Sequence, residues 1–217
     1  MKTKLLITSL IIFASPLWKD GSSMAQIKAI TEDGKKVFLY DNGNWQYAPV
    51  DNSEETLTTK KDTIEYKRPK SYDFLMKSER IKCGIYMDGK KWSVEKNTKE
   101  GPEEYNFTLK EQDAYAMIIP EKIEVPLQNL KNIAISNARS AAPDIKVINE
   151  EFRRVNGKVF YCMQMEGTIQ GIMFTYLSYY YTSKGGTIQF ISYTSKNLFE
   201  QYKGEMNNLL NGLTILE

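Results

Sequence analysis

The sequence predicts an α+β protein in which helices cover both faces of an antiparallel sheet, preceded by a small three-stranded β meander. Aromatic and β-branched residues dominate three consecutive runs, 159–165, 172–181 and 187–193, and glycine-containing turns separate them. Both alternating faces of these runs carry apolar groups, as in a sheet that is covered on both sides. Two other segments repeat apolar residues at helical spacing and supply the covering layers.

The middle run predicts which side chains share a face of the sheet. Successive residues of a strand point to opposite faces. One face is therefore expected to carry Phe174, Tyr176 and Tyr180, and the other Leu177, Tyr179 and Tyr181.

A first helix is predicted between Pro126 and Pro143, where apolar residues recur at helical spacing: Leu127, Leu130, Ile133, Ala134, Ala138 and Ala141. Proline is acceptable in the first turn of a helix, where Pro126 lies, and Pro143 ends the helix because the residue before a proline is pushed out of the α region. The segment from Ile145 to Val155 then returns as an extended strand.

A second helix is predicted from about Lys196 to Asn211. Asn197, with Glu200 three residues later, has the form of an N-terminal cap, and Gly212 is expected to follow the helix as its C′ residue. An apolar stripe along this segment indicates a helix that faces the core.

Residues 1–25 are typical of an export signal. Lys2 and Lys4 precede an apolar run from Leu5 to Trp18, and small residues at 23 and 25 fit a signal-peptidase site. This run is shorter than the roughly 20 residues that a membrane-spanning helix needs. The alternative is an uncleaved N-terminal anchor. A cleaved signal would place the protein in the periplasm or outside the cell, with no stable membrane insertion afterwards.

The small β meander is predicted to span residues 26–48. Asp33-Gly34 and Asn42-Gly43 lie between short apolar runs and favour two successive hairpins. The segment resembles a short motif that follows the signal in many exported bacterial proteins and has no known chemistry. It is matched at Ala29, Thr31, Asp33, Gly34, Val37, Leu39, Gly43 and Trp45.

Residues 49–70 are polar and aperiodic, and they predict a linker. The open alternative is a surface loop that lies against the main domain. That domain is expected to span residues 71–217.

Composition excludes several classes of function. The chain has no histidine, so every Ser-His and Cys-His catalytic arrangement is excluded, together with the commonest transition-metal ligand. Residues 1–25 hold three lysines and one aspartate, so the remaining chain carries no net charge. A balanced charge gives no electrostatic signature of nucleic-acid binding. We therefore expect no nucleic-acid partner, no catalytic residues, no metal and no cofactor.

The two cysteines, Cys83 and Cys162, are the one candidate disulfide. In an oxidising compartment an isolated pair can be bridged. The alternative, which the apolar neighbours favour, is two buried free thiols. The adjacent acidic pairs Glu103-Glu104 and Glu150-Glu151 are expected at solvated strand ends, because neighbours in an extended chain point to opposite faces.

Aromatic residues are the other candidate site. The chain has 14 tyrosines, and such rings bury a large area while keeping a polar tip. Trp45, Tyr47, Tyr179 and Tyr181 are candidates for a recognition surface. The alternative, which we favour, is that these rings fill the two faces of the sheet beneath the helices.

From about Ser71 onward the chain resembles the PsbP-like (DcrB/PsbP-type) fold group. The resemblance is carried by Lys91-Trp92, Asp113-Ala114-Tyr115-Ala116, the helix before Pro143, Val155-Asn156-Gly157, the aromatic hairpin through Tyr180, and Thr194 before the last helix. It implies an α/β/α sandwich without a shared catalytic constellation, acting in binding or assembly. The expected function is that of an exported, non-catalytic envelope protein that binds another protein or an envelope component. The alternative is a carrier of a small apolar ligand held between helix and sheet.

Overall fold

A computed structural model describes residues 26–30, 36–40, 43–47, 60–99 and 101–216. The chain divides into two compact units at the boundary between residues 56 and 57. The expected export signal, residues 1–25, lies outside the described residues.

The N-terminal unit contains a three-stranded antiparallel sheet in the order β1-β2-β3. Its strands are β1 Gln26–Ile30, β2 Lys36–Tyr40 and β3 Trp45–Tyr47. Gly43 has a φ of 79°, in the left-handed region that glycine tolerates, and its amide donates to the Tyr40 carbonyl at 2.9 Å. This turn joins β2 to β3.

The second unit is mixed α+β and consists mostly of sheet. Its helices are α1 Leu127–Ala141 and α2 Phe199–Leu210. Its strands are β4 Lys60–Tyr66, β5 Phe74–Lys77, β6 Cys83–Met87, β7 Trp92–Lys96, β8 Tyr105–Leu109, β9 Ala114–Glu121, β10 Lys146–Val155, β11 Lys158–Ile169, β12 Ile172–Ser183, β13 Gly186–Ser195 and β14 Leu213–Ile215.

Eight strands form the main sheet, in the order β4-β10-β11-β12-β13-β9-β8-β7. All neighbours are antiparallel except β4 and β10, which are parallel. The three aromatic runs are the adjacent strands β11, β12 and β13, as the sequence predicts. Two-residue turns with positive φ at both positions, Asn156-Gly157 and Gln170-Gly171, join β10 to β11 and β11 to β12.

The second unit has two hydrophobic clusters, and successive residues of β11 and β12 belong alternately to one cluster and the other. The larger cluster holds Cys162 and Tyr179 of the sheet together with Met206 of α2. The smaller cluster holds Tyr161 and Tyr180 together with α1. Because neighbouring residues of a strand point to opposite faces, the two clusters lie on opposite faces of the main sheet. The predicted division of the β12 side chains between the faces is confirmed.

The helix predicted between Pro126 and Pro143 is confirmed as α1, with Pro126 at its N-cap. The predicted cap of α2 is wrong. Residues Lys196–Leu198 form a 3-10 turn, and α2 begins after Leu198 without a side-chain cap. The start of α2 is fixed by packing, since Phe199 and Tyr202 are buried.

Part of the segment expected to be a linker, residues 49–70, is instead a strand. Residues Lys60–Tyr66 form β4, an edge strand of the main sheet that pairs with β10. The charged residues of β4 made the segment look like a linker in the sequence. Edge strands commonly carry charge, which discourages pairing with other molecules. A separate three-stranded sheet, in the order β14-β6-β5, was also not predicted. Two of its strands are only three and four residues long, too short for a periodic signal.

Candidate functional site: an aromatic face on the main sheet

Three neighbouring strands place tyrosines side by side. Tyr176 of β12 lies opposite Tyr193 of β13, and Tyr193 lies opposite Tyr115 of β9. Phe174 precedes Tyr176 by two residues and therefore shares its face. We call Tyr115, Phe174, Tyr176 and Tyr193 the aromatic face. Tyr176 packs against the smaller cluster, so this face is on the same side of the sheet as α1.

The four rings contact one another in a continuous series. The Tyr115 and Tyr193 ring centroids are 5.6 Å apart with planes at 28°, and those of Tyr176 and Tyr193 are 5.9 Å apart at 34°. Phe174 lies 6.4 Å from Tyr193 and 6.5 Å from Tyr176. These spacings are in the range of favourable aromatic pairs. The rings therefore hold one another in a fixed arrangement.

The aromatic face is only partly covered. All four rings are half-buried, whereas Tyr180, further along β12 beneath α1, is fully buried. Beyond Tyr115, the next residue on this face in β8 is the exposed Thr108. Ile172, two residues before Phe174, is 53% exposed. The aromatic face is thus a partly exposed apolar surface with polar residues at its margin.

The hydroxyl groups of this surface stay protonated near neutral pH. Burial raises the pKa of Tyr176 and of Tyr193. Burial and the nearby Asp113 carboxylate both raise the pKa of Tyr115, whose hydroxyl donates to Asp113 Oδ1 at 3.4 Å. The surface therefore offers neutral rings with hydroxyl tips, which suits contact with another molecule better than acid–base chemistry.

The four predicted recognition residues are divided between the two units of the chain. Trp45 and Tyr47 belong to the N-terminal unit, are 46% and 52% exposed, and contact each other edge to face at 5.2 Å. Tyr179 is fully buried, and its hydroxyl donates to Asn211 Oδ1 at 2.8 Å. Tyr181 is half-buried and packs on Phe160. Tyr179 therefore fills the core beneath α2, as the favoured alternative predicts for these rings.

The aromatic face as a whole is not predicted by the sequence. The alternation along β12 identified Phe174 and Tyr176 as sharing one face. It did not identify Tyr193 and Tyr115 as their neighbours, since this depends on strand order. The signal that would have found them is the matching register of β9, β13 and β12 once those strands are known to be adjacent.

Cys83 and Cys162 are both buried and free, with no disulfide between them. Burial raises the pKa of each thiol to about 12. Since the thiolate is the reactive form, neither cysteine is activated as a nucleophile near neutral pH.

We expect both thiols to be inert in the folded protein. The native protein at pH 7.5 should react with less than about one tenth of an equivalent of a thiol reagent, and two equivalents should react in denaturant. Mass spectrometry after alkylation measures this directly. A native protein that lacks two titratable thiols in denaturant would instead contain the disulfide.

The carboxylates near the edges of the sheet are used in structural contacts. Glu104 is 3% exposed, contrary to the expected solvated strand end, and its carboxylate accepts from Ser78 Oγ at 2.5 Å and from the Glu79 amide at 2.7 Å. A surface groove of about 550 Å³ lies over this loop, lined by Lys77, Ser78, Glu79, Arg80, Ile81, Lys82 and Leu216. Glu79 is paired with Lys96 at 2.6 Å. The groove therefore holds no pair of free carboxylates for acid–base work.

A second acidic side chain, Glu150, is also held by a hydrogen bond and an ion pair. It accepts from Tyr161 Oη at 2.5 Å and pairs with Lys131 at 2.6 Å. Burial works to raise the pKa of Glu150, but the hydrogen bonds from Lys131 and Tyr161 outweigh burial and lower it.

Within the described ranges, no three metal-ligating side chains come together as a metal site. Nor does any helix in those ranges have the length and apolarity to cross a membrane.

No protein-family model matches the chain, and no curated protein matches it in sequence. Solved structures do match. The solution structure of cyanobacterial PsbP (CyanoP) from Synechocystis sp. PCC 6803 is similar with a TM-score of 0.51 and 16% identity. The match covers 65% of this chain and 91% of that protein.

Two other solved structures are similar at lower TM-scores. LpqN, involved in cell envelope biogenesis of Mycobacterium tuberculosis, gives 0.46 at 11% identity, over 66% of this chain and 83% of LpqN. PA94, a protein of unknown function from Pseudomonas aeruginosa, gives 0.43 at 11% identity, over 58% of this chain and 83% of PA94. The match to CyanoP shows that the chain has the PsbP-like fold, and the resemblance seen in the sequence is confirmed.

Proposed function

We propose that the chain is a non-catalytic, extracytoplasmic module with an α/β/α sandwich, and that it binds another protein through its aromatic face. The observation that supports this most directly is the mutual packing of four half-buried rings on three neighbouring strands of the main sheet. Aromatic residues are enriched in protein interfaces, and rings already held in place lose little conformational freedom on binding.

The margin of the aromatic face also suits an interface. Thr108 and Asn106 are exposed on the neighbouring strand β8, and Asp113 lies next to the Tyr115 hydroxyl. A central apolar surface with a polar rim is the usual anatomy of a protein–protein contact. Affinity is expected to be concentrated in the rings, since a few aromatic residues commonly carry most of the binding energy.

The extracytoplasmic location rests on the composition of residues 1–25 and on the motif that follows them. If the signal is cleaved where the sequence predicts, the exported protein begins at Gln26. Intact mass measurement of the protein recovered from the periplasm or medium tests this location. Recovery of the full-length chain only in the membrane fraction would support the uncleaved anchor instead.

Replacing single rings of the aromatic face should weaken partner binding by at least about tenfold in Kd, as expected for an interface hot spot. The variants Tyr115→Ala and Phe174→Ala are compared with wild type by cross-linking and capture from an envelope extract. The Kd of the identified protein is then measured by biolayer interferometry. Loss of binding is expected for both variants.

The matched control is Phe74→Ala, which removes a ring that is 54% exposed on the separate three-stranded sheet. It should bind like wild type. Thermal melts of all variants check that they are folded. Equal binding by wild type and both aromatic-face variants would contradict the proposal.

We propose Trp45 and Tyr47 as a second contact, in the N-terminal unit. They are exposed, and their edge-to-face packing orders both rings before binding. Trp45→Ala in the same capture experiment should reduce binding independently of the main domain. Unchanged binding would restrict the contact to the aromatic face.

The alternative of an apolar-ligand carrier is less well supported. Between α2 and the main sheet the space is occupied by large, fully buried side chains, among them Phe160, Tyr179, Phe190 and Met206. Native mass spectrometry separates the two functions. A small molecule that co-purifies in stoichiometric amount would favour the carrier, and a bare chain that captures one protein would favour the binding module.

A further inference from the structure

Acidic side chains lie beside two rings of the aromatic face. Asp113 directly precedes β9, and its carboxylate accepts the Tyr115 hydroxyl at 3.4 Å. Glu103, two residues before β8, lies near Tyr193. Burial is the main cause of the raised pKa of the Tyr193 hydroxyl, and Tyr115 and the Glu103 carboxylate add to it. One carboxylate therefore lies close to each of these two tyrosines.

A third carboxylate is on the same face of the main sheet. Glu95 of β7 lies opposite Asn106 of β8, and Asn106 lies opposite Met117 of β9. Met117 is two residues from Tyr115, so all of these side chains point to the side of the aromatic face. Neighbouring strands are about 4.8 Å apart, which places Glu95 about 10 Å from β9. We call Glu95, Glu103 and Asp113 the acidic margin.

The acidic margin has no cationic partner within the described ranges. Other carboxylates of the second unit do, since Glu79 and Glu150 are each paired with a lysine at 2.6 Å. Lys110, which follows β8, donates to a backbone carbonyl at 2.7 Å. Two carboxylates of the acidic margin are exposed and the third is half-buried. Their negative charge is therefore available to another molecule.

Tyrosine rings beside carboxylates favour a cation. The face of the ring is electron-rich, and it attracts a guanidinium or ammonium group within about 6 Å of its centre. A guanidinium is planar and has five donors, so it can lie on a ring and donate to a carboxylate at once. Arg153 does this within the protein, because it pairs with Glu151 and lies 5.2 Å from the centre of the Tyr66 ring.

We infer that the partner of the aromatic face is a basic protein segment, whose arginine or lysine side chains lie over the tyrosines and pair with the acidic margin. This inference rests on the proposed partner-binding function and names the chemistry of the partner. Arginine suits the site best, since it is also enriched in protein interfaces. An acidic protein or an anionic lipid surface would be repelled, because like charges would face each other.

The direct test measures binding of a fluorescein-labelled peptide of nine arginines to the full chain by fluorescence anisotropy at 50 mM NaCl. Glu103→Gln combined with Asp113→Asn should raise the Kd by at least about fivefold, because both amides keep the side-chain shape and remove the charge. Tyr193→Leu removes a ring and leaves the acidic margin, and it should also raise the Kd. A peptide of nine glutamates should not bind.

The matched control is Asp73→Asn combined with Glu200→Gln, which changes the net charge by the same amount. Both residues are exposed, Asp73 just before β5 of the small sheet and Glu200 on α2, which packs on the opposite face of the main sheet. This variant should bind the arginine peptide like wild type. Thermal melts verify that each variant is folded. Equal affinity of wild type, the acidic-margin variant and the control would overturn the inferred basic partner.

The protein captured through the aromatic face provides a second readout. Its Kd should rise by about tenfold or more when NaCl is increased from 50 to 300 mM, because salt screens exposed charges. Suppose that its binding needs Tyr115 and Phe174 but is unchanged by salt and by the acidic-margin variant. The proposed function would then stand, and the basic character of the partner would be wrong. Binding that does not need the rings would instead contradict the proposed function itself.

Discussion

Replacing Gly212 with alanine should lower the free energy of unfolding by about 3 kcal/mol. A Cβ at this position would lie 1.9 Å from the Tyr86 carbonyl oxygen, so the backbone would have to move. Movement would also break the bond from the Tyr86 amide to the Gly212 carbonyl, which is 2.9 Å long. Gly212 connects α2 to β14, and β14 pairs with β6, so the effect reaches the whole small sheet. Urea unfolding followed by circular dichroism measures the loss.

Gly204→Ala is the matched control for Gly212→Ala. Gly204 lies inside α2, and a Cβ there would meet no atom within 4 Å. Alanine is favoured over glycine in a helix interior, so this variant should be stabilised by about 0.5–1 kcal/mol. Similar stability changes in the two variants would show that close packing of the backbone does not determine the need for glycine at 212.

Replacing Arg153 with methionine should cost about 3 kcal/mol of unfolding free energy. The Arg153 side chain is 14% exposed, pairs with Glu151 at 2.5 Å, and donates to Asn207 Oδ1 of α2 at 2.8 Å. Its guanidinium carbon also lies 5.2 Å from the centre of the Tyr66 ring of β4. Removal of the charge leaves the 19% exposed Glu151 carboxylate without its partner and disconnects α2 from the edge of the sheet.

The adjacent Arg154 provides the control. Its side chain is 45% exposed and lies 3.8 Å from Glu65, a geometry in which ion pairs contribute little. Arg154→Met should change the unfolding free energy by less than about 0.5 kcal/mol. If both arginine variants are equally stable, the buried contacts of Arg153 do not hold α2 to the sheet.

Local patterns were sufficient to locate most regular elements. The repeat of apolar residues between Pro126 and Pro143 predicted the position of α1, because both prolines restrict the backbone on their own. The aromatic runs predicted β11, β12 and β13, since alternation and glycine turns are also local. At Gly212 the predicted C′ position was correct, but the reason was not. Its φ is not in the left-handed region, and the glycine is required by the approach of Tyr86.

The candidate site was less predictable than the elements that form it. Tyr115 and Tyr193 are 78 positions apart in the chain, and only the pairing of β9 with β13 brings their rings to 5.6 Å. The same strand order decides which face of β12 each helix covers, and hence why Tyr179 is buried while Tyr176 is half-buried. Long-range pairing depends on the packing of the whole domain, which a single segment does not encode.

By itself, the sequence determined the positions of the two helices and the aromatic strands, the PsbP-like resemblance, and the absence of histidine chemistry. These properties follow from backbone restriction, side-chain alternation and composition, each of which acts within a short segment. Only the tertiary structure decided that β4 joins the main sheet, that both cysteines are buried and free, and that the aromatic face exists. Those features depend on contacts between residues distant in the chain. Such contacts stabilise the protein only once the whole domain has folded and brought the strands together.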